Sequence, residues 1–418
     1  MNKKTAKPAN VLQTVYTISG ETLTPVHLGD GRVLHKELDF LPDRAEIHIF
    51  DALAAMDKKF GGLANPPDFG EDFRLSKYFT TPPECKDFRN YSLPLPLPHA
   101  YNKIRTAIKT FVPVDGRSEP RLYIPGTSLK GALRTAFMNG IVRHQQDRNN
   151  SFEAWKKLVT SPPRKKKDGS LEYNDYPTAR ELERKFFGKN PNEDLLRHLV
   201  VRDSSLLPLT GIKAEIFKAR DSKKADERRL ESLGRLLGLT FEAIPPGEKF
   251  ETEMIIQQRQ LEMLGFSPHS REHESLKKWL QKEAVKLRVH FFSNCRNAIQ
   301  EFIQQELTFY DYFNHSECKD FYDNLLNQAK GLPPETLLLP LGWGSGWRGK
   351  TLAMLKLPED FETWLRQRRK LRPEQKIYPI TRKILMTQNL PARPLGWVKL
   401  VFNLSREVRL SSPRGNNG

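Results

Sequence analysis

One stretch constrains the fold of this chain more than any other. It is Leu122-Tyr123-Ile124-Pro125-Gly126-Thr127-Ser128-Leu129-Lys130-Gly131-Ala132-Leu133-Arg134-Thr135-Ala136-Phe137. A short apolar run ends at Pro-Gly, a pair that breaks regular structure, and a helical period begins at once. Leu129, Leu133, Ala136, Phe137 and Ile141 then fall on one face, the spacing of a helix buried along one side. Thr127 or Ser128 stands where a hydroxyl caps a helix start. A strand delivered directly into an amphipathic helix, with other strands and helices around it, predicts an α+β fold.

The rest of the chain supplies those partners. Val11 to Ile18 alternates as a first strand and runs into Thr24-Pro25-Val26-His27-Leu28-Gly29-Asp30-Gly31, a turn. Residues 61–100 are rich in Pro, Gly and Asp and end in Leu93-Pro94-Leu95-Pro96-Leu97-Pro98, which reads as an extended connector. Ser161 to Gly169 is a basic loop, and Leu199-Val200-Val201 is a strand ending at Asp203. Phe241 to Ile256, folded over Pro245-Pro246-Gly247, reads as a hairpin. From about 270 to 330 the period becomes helical: Leu276, Trp279, Leu280, Ala284 and Leu287 share a face, as do Ile299, Phe302, Ile303 and Leu307. The expected organisation is a core over residues 1–265, an inserted helical subdomain over 266–332, and a C-terminal return to the core over 333–418.

Charge narrows the partner. The 418 residues carry 68 Lys and Arg against 50 Asp and Glu, a net +18. The excess is uneven: residues 101–200 hold +9 and 341–418 hold +11, while 301–340 hold −5. Basic blocks separated by an acidic stretch point to one face dedicated to a polyanion. Three cysteines, Cys85, Cys295 and Cys318, with no CxxC pair, disfavour a disulfide scaffold or zinc ribbon and fit a reducing cytoplasm. No signal-peptide core is apparent, and no window approaches the ~18–20 apolar residues of a membrane span.

Gly344-Ser345-Gly346-Trp347-Arg348-Gly349-Lys350-Thr351 satisfies the phosphate-loop pattern of nucleotide hydrolases. That reading needs further βα units and a strand ending in an acid. Only 67 residues follow Thr351, and none of their acids ends an apolar strand. A better use of the loop is RNA binding: Trp343 and Trp347 to stack on bases, Arg348 and Lys350 to neutralise phosphates, and Ser345 among the glycines that let the strand approach. A structural hairpin with core tryptophans is the competing reading. Gly126 to Arg134 offers a second anion site, because a helix start presents unpaired N–H groups and Lys130 and Arg134 lie one turn apart. Solvated charges on a capped helix are the alternative. The two segments share a faint echo: Gly, hydroxyl, any residue, apolar, basic, Gly. Catalytic signals are sparse. His27, His35 or His48 could act as a general base beside a ribose 2′-hydroxyl, but none has a partner fixed by sequence. Asp203 fits a turn cap better than a catalytic acid, and no carboxylate or His cluster suggests a metal.

Ile124-Pro125-Gly126-Thr127-Ser128-Leu129-Lys130-Gly131-Ala132-Leu133-Arg134 resembles the Ile-Pro-Gly-Ser-Ser-x-Lys-Gly-x-x-Arg motif of the RAMP superfamily, the repeat-associated RNA-binding proteins of CRISPR systems. Gly342 to Gly349 is similar to that superfamily's C-terminal Gly-rich loop, and Thr24 to Gly29 to its first strand and turn. With Val201-Arg202-Asp203-Ser204, the helical segment and Pro394-Leu395-Gly396-Trp397-Val398-Lys399-Leu400, the combination is similar to the fifth-subunit family of type III-A (Csm) effector complexes. Thr127 stands where that motif more often has Ser. The resemblance implies a ferredoxin-like (RRM-type) core with insertions, no metal or other cofactor, and no nuclease activity of its own. It implies a subunit that binds the 3′ part of the guide crRNA, caps the backbone filament against the repeated backbone and small helical subunits, and promotes trimming of the guide, with host nucleases as further partners. The RNA-binding set expected is Gly126, Thr127, Ser128, Lys130, Arg134, Trp343, Ser345, Trp347, Arg348 and Lys350, with His27 and Arg32. A RAMP endoribonuclease cutting precursor crRNA is the alternative.

Overall fold

The computed structural model describes residues 11–43, 46–60, 74–78, 88–94, 102–115, 117–146, 151–160, 164–165, 170–172, 179–222, 224–233, 239–257, 274, 286–368, 379–387 and 390–409. Two sheets organise them. The first has the order β11-β15-β1-β19-β16, all neighbours antiparallel. Its strands are β1 (Val11–Thr22), β11 (Leu199–Val201), β15 (Lys249–Ile256), β16 (Thr336–Pro340) and β19 (Trp397–Arg409). Helix α3 (Gly126–Gln146) lies between β1 and β11 in sequence, and α6 (Lys286–Tyr312) with α7 (Ser316–Lys330) lies between β15 and β19. Chain order β1-α3-β11-β15-α6-β19 with sheet order β11-β15-β1-β19 is the βαββαβ arrangement of a ferredoxin-like core, with β16 added at the edge.

The core follows the sequence periods. Along β1, Tyr16 and Ile18 are buried; across the sheet Met254, Leu337, Leu400 and Phe402 join them. Leu129, Leu133, Ala136, Phe137 and Ile141 of α3 and Ile299, Phe302 and Ile303 of α6 pack in the same cluster. Burying a Leu, Ile or Phe of this kind contributes roughly 1.5–3 kcal/mol, so the helix stripes bind firmly to the sheet. The helical segment expected as an inserted subdomain therefore shares this core over residues 286–330, where α6 takes the place of the second ferredoxin helix. The Leu276 to Ala284 part of its expected stripe lies outside the described residues.

The second sheet has the order β18-β17-β12-β14-β6-β2, with β13 (Arg229–Ser232) also paired to β12. Its strands are β2 (Gly29–His35), β6 (Lys103–Ala107), β12 (Thr210–Arg220), β14 (Leu239–Ala243), β17 (Thr381–Thr387) and β18 (Leu390–Pro394). The expected hairpin over 241–256 is corrected here. β14 and β15 belong to different sheets, because Val26 bridges to Ile244 and Thr22 accepts the Gly247 amide at the turn. Within the 61–100 connector, residues 89–94 form β5 (Arg89–Pro94), the outer strand beside β3 (Phe40–Asp43) and β4 (Glu46–Phe50). An outer strand is where a sheet tolerates the missing N–H of Pro94. Hairpins β7 (Lys109–Val114)–β8 (Arg117–Leu122) and β9 (Arg164–Lys165)–β10 (Leu171–Glu172) complete the strands, and α1 (Ala52–Phe60), α2 (Leu75–Tyr78), α4 (Phe152–Val159), α5 (Ala179–Phe187) and α8 (Glu359–Arg368) the helices.

Candidate nucleic-acid interface

The start of α3 is tightly built and largely self-satisfied. A side chain at Gly126 would meet the Val201 carbonyl oxygen at 2.0 Å, so glycine lets the helix start abut the end of β11. The Gly126 N–H donates to Asp203 Oδ1 at 2.7 Å, and the Ser128 and Leu129 amides donate to the Pro125 carbonyl at 2.9 and 3.1 Å. The cap thus comes from Asp203 across the turn rather than from the expected Thr127 or Ser128 hydroxyl. Thr127 is exposed and Ser128 half-buried. Arg134 donates to Asp194 Oδ2 at 2.8 Å, approaches Glu183 at 3.6 Å and lies 3.6 Å from the Phe187 ring centroid. Lys130 is half-buried; burial pushes its pKa down, opposed by nearby Asp194.

The Gly-rich loop is three short 3₁₀ turns, Trp343–Ser345, Arg348–Lys350 and Leu352–Met354, with no helix until Glu359. A phosphate loop opens directly into a helix, so this geometry removes the nucleotide-hydrolase reading. Gly342, at φ 76°, passes so close to His27 that a side chain would sit 2.4 Å from the His27 carbonyl oxygen, and Trp343 donates its amide to that oxygen at 3.1 Å. The loop and the first turn of the chain are therefore one structure. Ser345 is buried, its hydroxyl donating to the Gly342 carbonyl at 2.8 Å. Trp347 is half-buried and Lys350 exposed. Arg348 is turned inward: it donates to Gln305 Oε1 on α6 at 2.9 Å, and burial lowers its pKa.

Trp343 also departs from its expected role. Its ring packs 4.6 Å from Phe241, and Lys383 Nζ stands 3.4 Å over it while donating to the Trp343 carbonyl at 3.0 Å. The indole holds a cation instead of offering a bare face to a base. His27 is buried, with Nδ1 2.7 Å from the Glu242 carbonyl and its ring 4.8 Å from Phe241. Burial holds its pKa below the usual range, against the Glu242 contact, and the Arg105 and Lys383 charges add to the depression. Arg32 is exposed and paired with Asp30 at 2.8 Å.

The residues that gather here without having been foreseen are Arg105 on β6 and Lys383 on β17. Strand register puts both on one face of the second sheet. Arg105 pairs with Phe241, Phe241 with Ile212, and Ala214 and Ile216, two and four residues on, pair with Leu385 and Lys383. Phe241, Ile212, Ala214, Leu385 and Leu395 form a small apolar cluster with Trp343 on it. The strand positions sharing that face include Lys103, Arg105, Lys218 and Lys383; among the described residues its one strand carboxylate is Glu231 of β13, opposite Lys218 and paired with Arg220 and Arg229 at 2.5 and 2.9 Å. Glu215 and Glu242 take the opposite face; Glu242 is buried, salt-bridged to Lys109 at 2.5 Å and accepting the Ala107 amide at 2.8 Å. Lys383 is pushed down to about 8, first by burial and then by the nearby Lys350 and Arg105 charges. Among the described residues, no carboxylate forms an ion pair with Arg105, Lys350 or Lys383. Beneath them, Arg382 forms a buried two-pronged pair with Glu306 of α6 at 2.8 and 2.9 Å. The alternation Lys103-Ile104-Arg105-Thr106 was a readable sign of one basic strand face.

The helix start does not join this cluster directly. α3 meets the loop at Asn139, whose amide donates to the Thr351 carbonyl at 3.1 Å. Gly126 is thirteen residues earlier, about 20 Å along a helix axis.

A βαββαβ sheet covered by two helices, tied through a glycine-rich loop to a second sheet with one basic face, defines a ferredoxin-like protein of two linked sheets. The family model of the RAMP superfamily matches residues 20–349, and the chain belongs to that superfamily. Its fold is similar to a chain in the cryo-EM structure of a Csm-crRNA-target RNA ternary complex in a type III-A CRISPR-Cas system, with TM-score 0.57 and 21% identity over 92% of this chain and 100% of that one. It is also similar to the crystal structure of T. onnurineus Csm5, with TM-score 0.51 and 18% identity over 91% and 99% of the two chains. No curated protein matches it in sequence.

Proposed function

We propose that this chain is a non-catalytic, RNA-binding subunit of a type III-A CRISPR effector complex, holding the guide crRNA on the basic face of its second sheet. The observation that carries this reading is the group Arg105, Lys350 and Lys383 beside Trp343, none of them ion-paired to a carboxylate among the described residues, while Glu231 on the same face is held by Arg220 and Arg229. Membership of the RAMP superfamily and full-length likeness to a chain of a Csm-crRNA-target RNA complex support it. Phosphate contacts dominate the affinity of such a surface, and each releases counterions, so binding weakens steeply with salt. Exposed Thr127, with Ser128 and half-buried Lys130, is a secondary contact at the helix start. In its finer form the proposal puts the subunit at the 3′ region of the guide, at the end of the backbone filament, against the repeated backbone and small helical subunits. Trimming of the guide there falls to nucleases supplied by the host.

The test is purification of the tagged protein from its native host, with sequencing of bound RNA. Co-purifying Csm subunits and guides, and loss of guide in Arg105→Glu/Lys383→Glu, are the expected result. Purified protein incubated with repeat RNA in EDTA leaves it intact; specific cleavage there would replace this reading with that of a metal-independent endoribonuclease.

A further inference from the structure

We propose that Gln305 on α6 is a positioning residue for the loop 343–356, and so sets RNA affinity without touching RNA; the second half of this statement rests on the RNA-binding reading above. The loop has little to order it internally. Its three 3₁₀ turns are each a single turn long, and Gly346, at φ 67°, has open space around it. Isolated single turns do not hold themselves in water. Leu352, Met354 and Leu355 anchor the loop's far end in the main core, and a polar rail along one side of α6 holds the rest. Glu301 Oε1 accepts the Lys356 amide at 2.5 Å. Gln305, one helical turn on, accepts from Arg348 at 2.9 Å through Oε1 and donates to the Met354 carbonyl at 2.7 Å through Nε2. Glu306, the next residue, holds Arg382. Gln305 alone on this rail engages two of the 3₁₀ turns, one through each end of its amide.

The consequence concerns the neighbours of the braced residues. Arg348 is two positions before Lys350, and Arg382 is one before Lys383. α6 thus grips half-buried Arg348 and buried Arg382, and the cations one or two positions on from them face outward. Preorganised cations lose less freedom on binding than mobile ones, so loosening the grip lowers affinity while leaving every phosphate-contacting side chain in place.

The experiment uses the full chain, with hydrogen exchange of segment 343–356 and fluorescence-anisotropy titration of a labelled single-stranded RNA. Gln305→Met is close in volume and removes both hydrogen bonds; Gln305→Glu keeps the acceptor for Arg348 and loses the donor to Met354. Expected are faster exchange confined to 343–356 in Gln305→Met, a roughly five- to tenfold weaker Kd, of the size one ordinary hydrogen bond supplies, and partial recovery of both in Gln305→Glu. Unchanged exchange and Kd in Gln305→Met overturn the proposal. So does faster exchange spread over the whole chain, which would make Gln305 an ordinary core residue. If the wild type binds no RNA, the functional reading fails on its own, while local exchange still reports whether Gln305 orders the loop.

Discussion

The helix start at 126–134 and the Gly-rich loop at 342–350 carry nearly the same short pattern of Gly, hydroxyl and basic residues, yet the protein uses them oppositely. At the helix start, Asp203 takes the leading amide and Asp194, Glu183 and Phe187 take Arg134. In the loop, Arg348 goes inward to Gln305, but Lys350 and its neighbours Lys383 and Arg105 are left with one another. Both segments supply cations. What separates them is whether a carboxylate lies within reach, which depends on the chain around them. A basic motif becomes an anion site only when the fold withholds acids from it.

That contrast can be broken by removing acids. Glu306→Ala, which leaves Arg382 buried and unpaired, should cost about 3–5 kcal/mol of folding stability by urea titration, whereas Glu183→Ala, at the exposed 3.6 Å contact with Arg134, should cost no more than ~1 kcal/mol. Next in size, Arg105→Glu/Lys383→Glu should weaken single-stranded RNA binding by about a hundredfold near 0.1 M salt and flatten the slope of log affinity against log salt. Lys130→Glu/Arg134→Glu should cost only a few-fold in the same titration; an equal loss would erase the distinction between the two sites. The smallest effect sharpens it. Lys383, pushed down to about 8 by burial and its cationic neighbours, loses its proton as pH rises from 7 to 9, so RNA affinity should fall across that interval. Lys383→Arg, which stays charged, should bind with little change over the same range.

Much of the architecture was readable from residues alone. The α3 stripe from Leu129 to Ile141, the first strand and the Ile299–Phe302–Ile303 face are set by apolar spacing, and spacing survives folding because it decides what is buried. The hairpin at 241–256 was misread because Pro245-Pro246-Gly247 marks a reversal but not which sheet each arm joins. Thr22 and Val26, more than 200 residues earlier, decide that. At the site, Lys350 was legible as a loop cation next to glycine. Lys383 was not: in Arg382-Lys383 one residue is buried against Glu306 and the other faces outward, and two adjacent basic residues look alike until the strand's partners fix its faces. Trp343 was legible as either a stacking face or a core side chain, and Arg348 as a phosphate contact rather than a partner of Gln305, since a sequence shows side-chain chemistry and hides what already satisfies it.

The meeting of Pro25, Leu341 and Gly396 has a consequence for the protein's birth. Gly396 donates its amide to the Pro25 carbonyl at 2.9 Å and accepts the Leu341 amide at 2.6 Å, and β19, which begins one residue later, lies between β1 and β16. The junction that seats the basic loop beside the opening turn therefore closes only once Gly396 and β19, about 370 residues after Pro25, have left the ribosome. A nascent chain halted before that point carries its charges without their arrangement. That arrangement waits on a closure between segments far apart in sequence, which belongs to the slow class of folding steps.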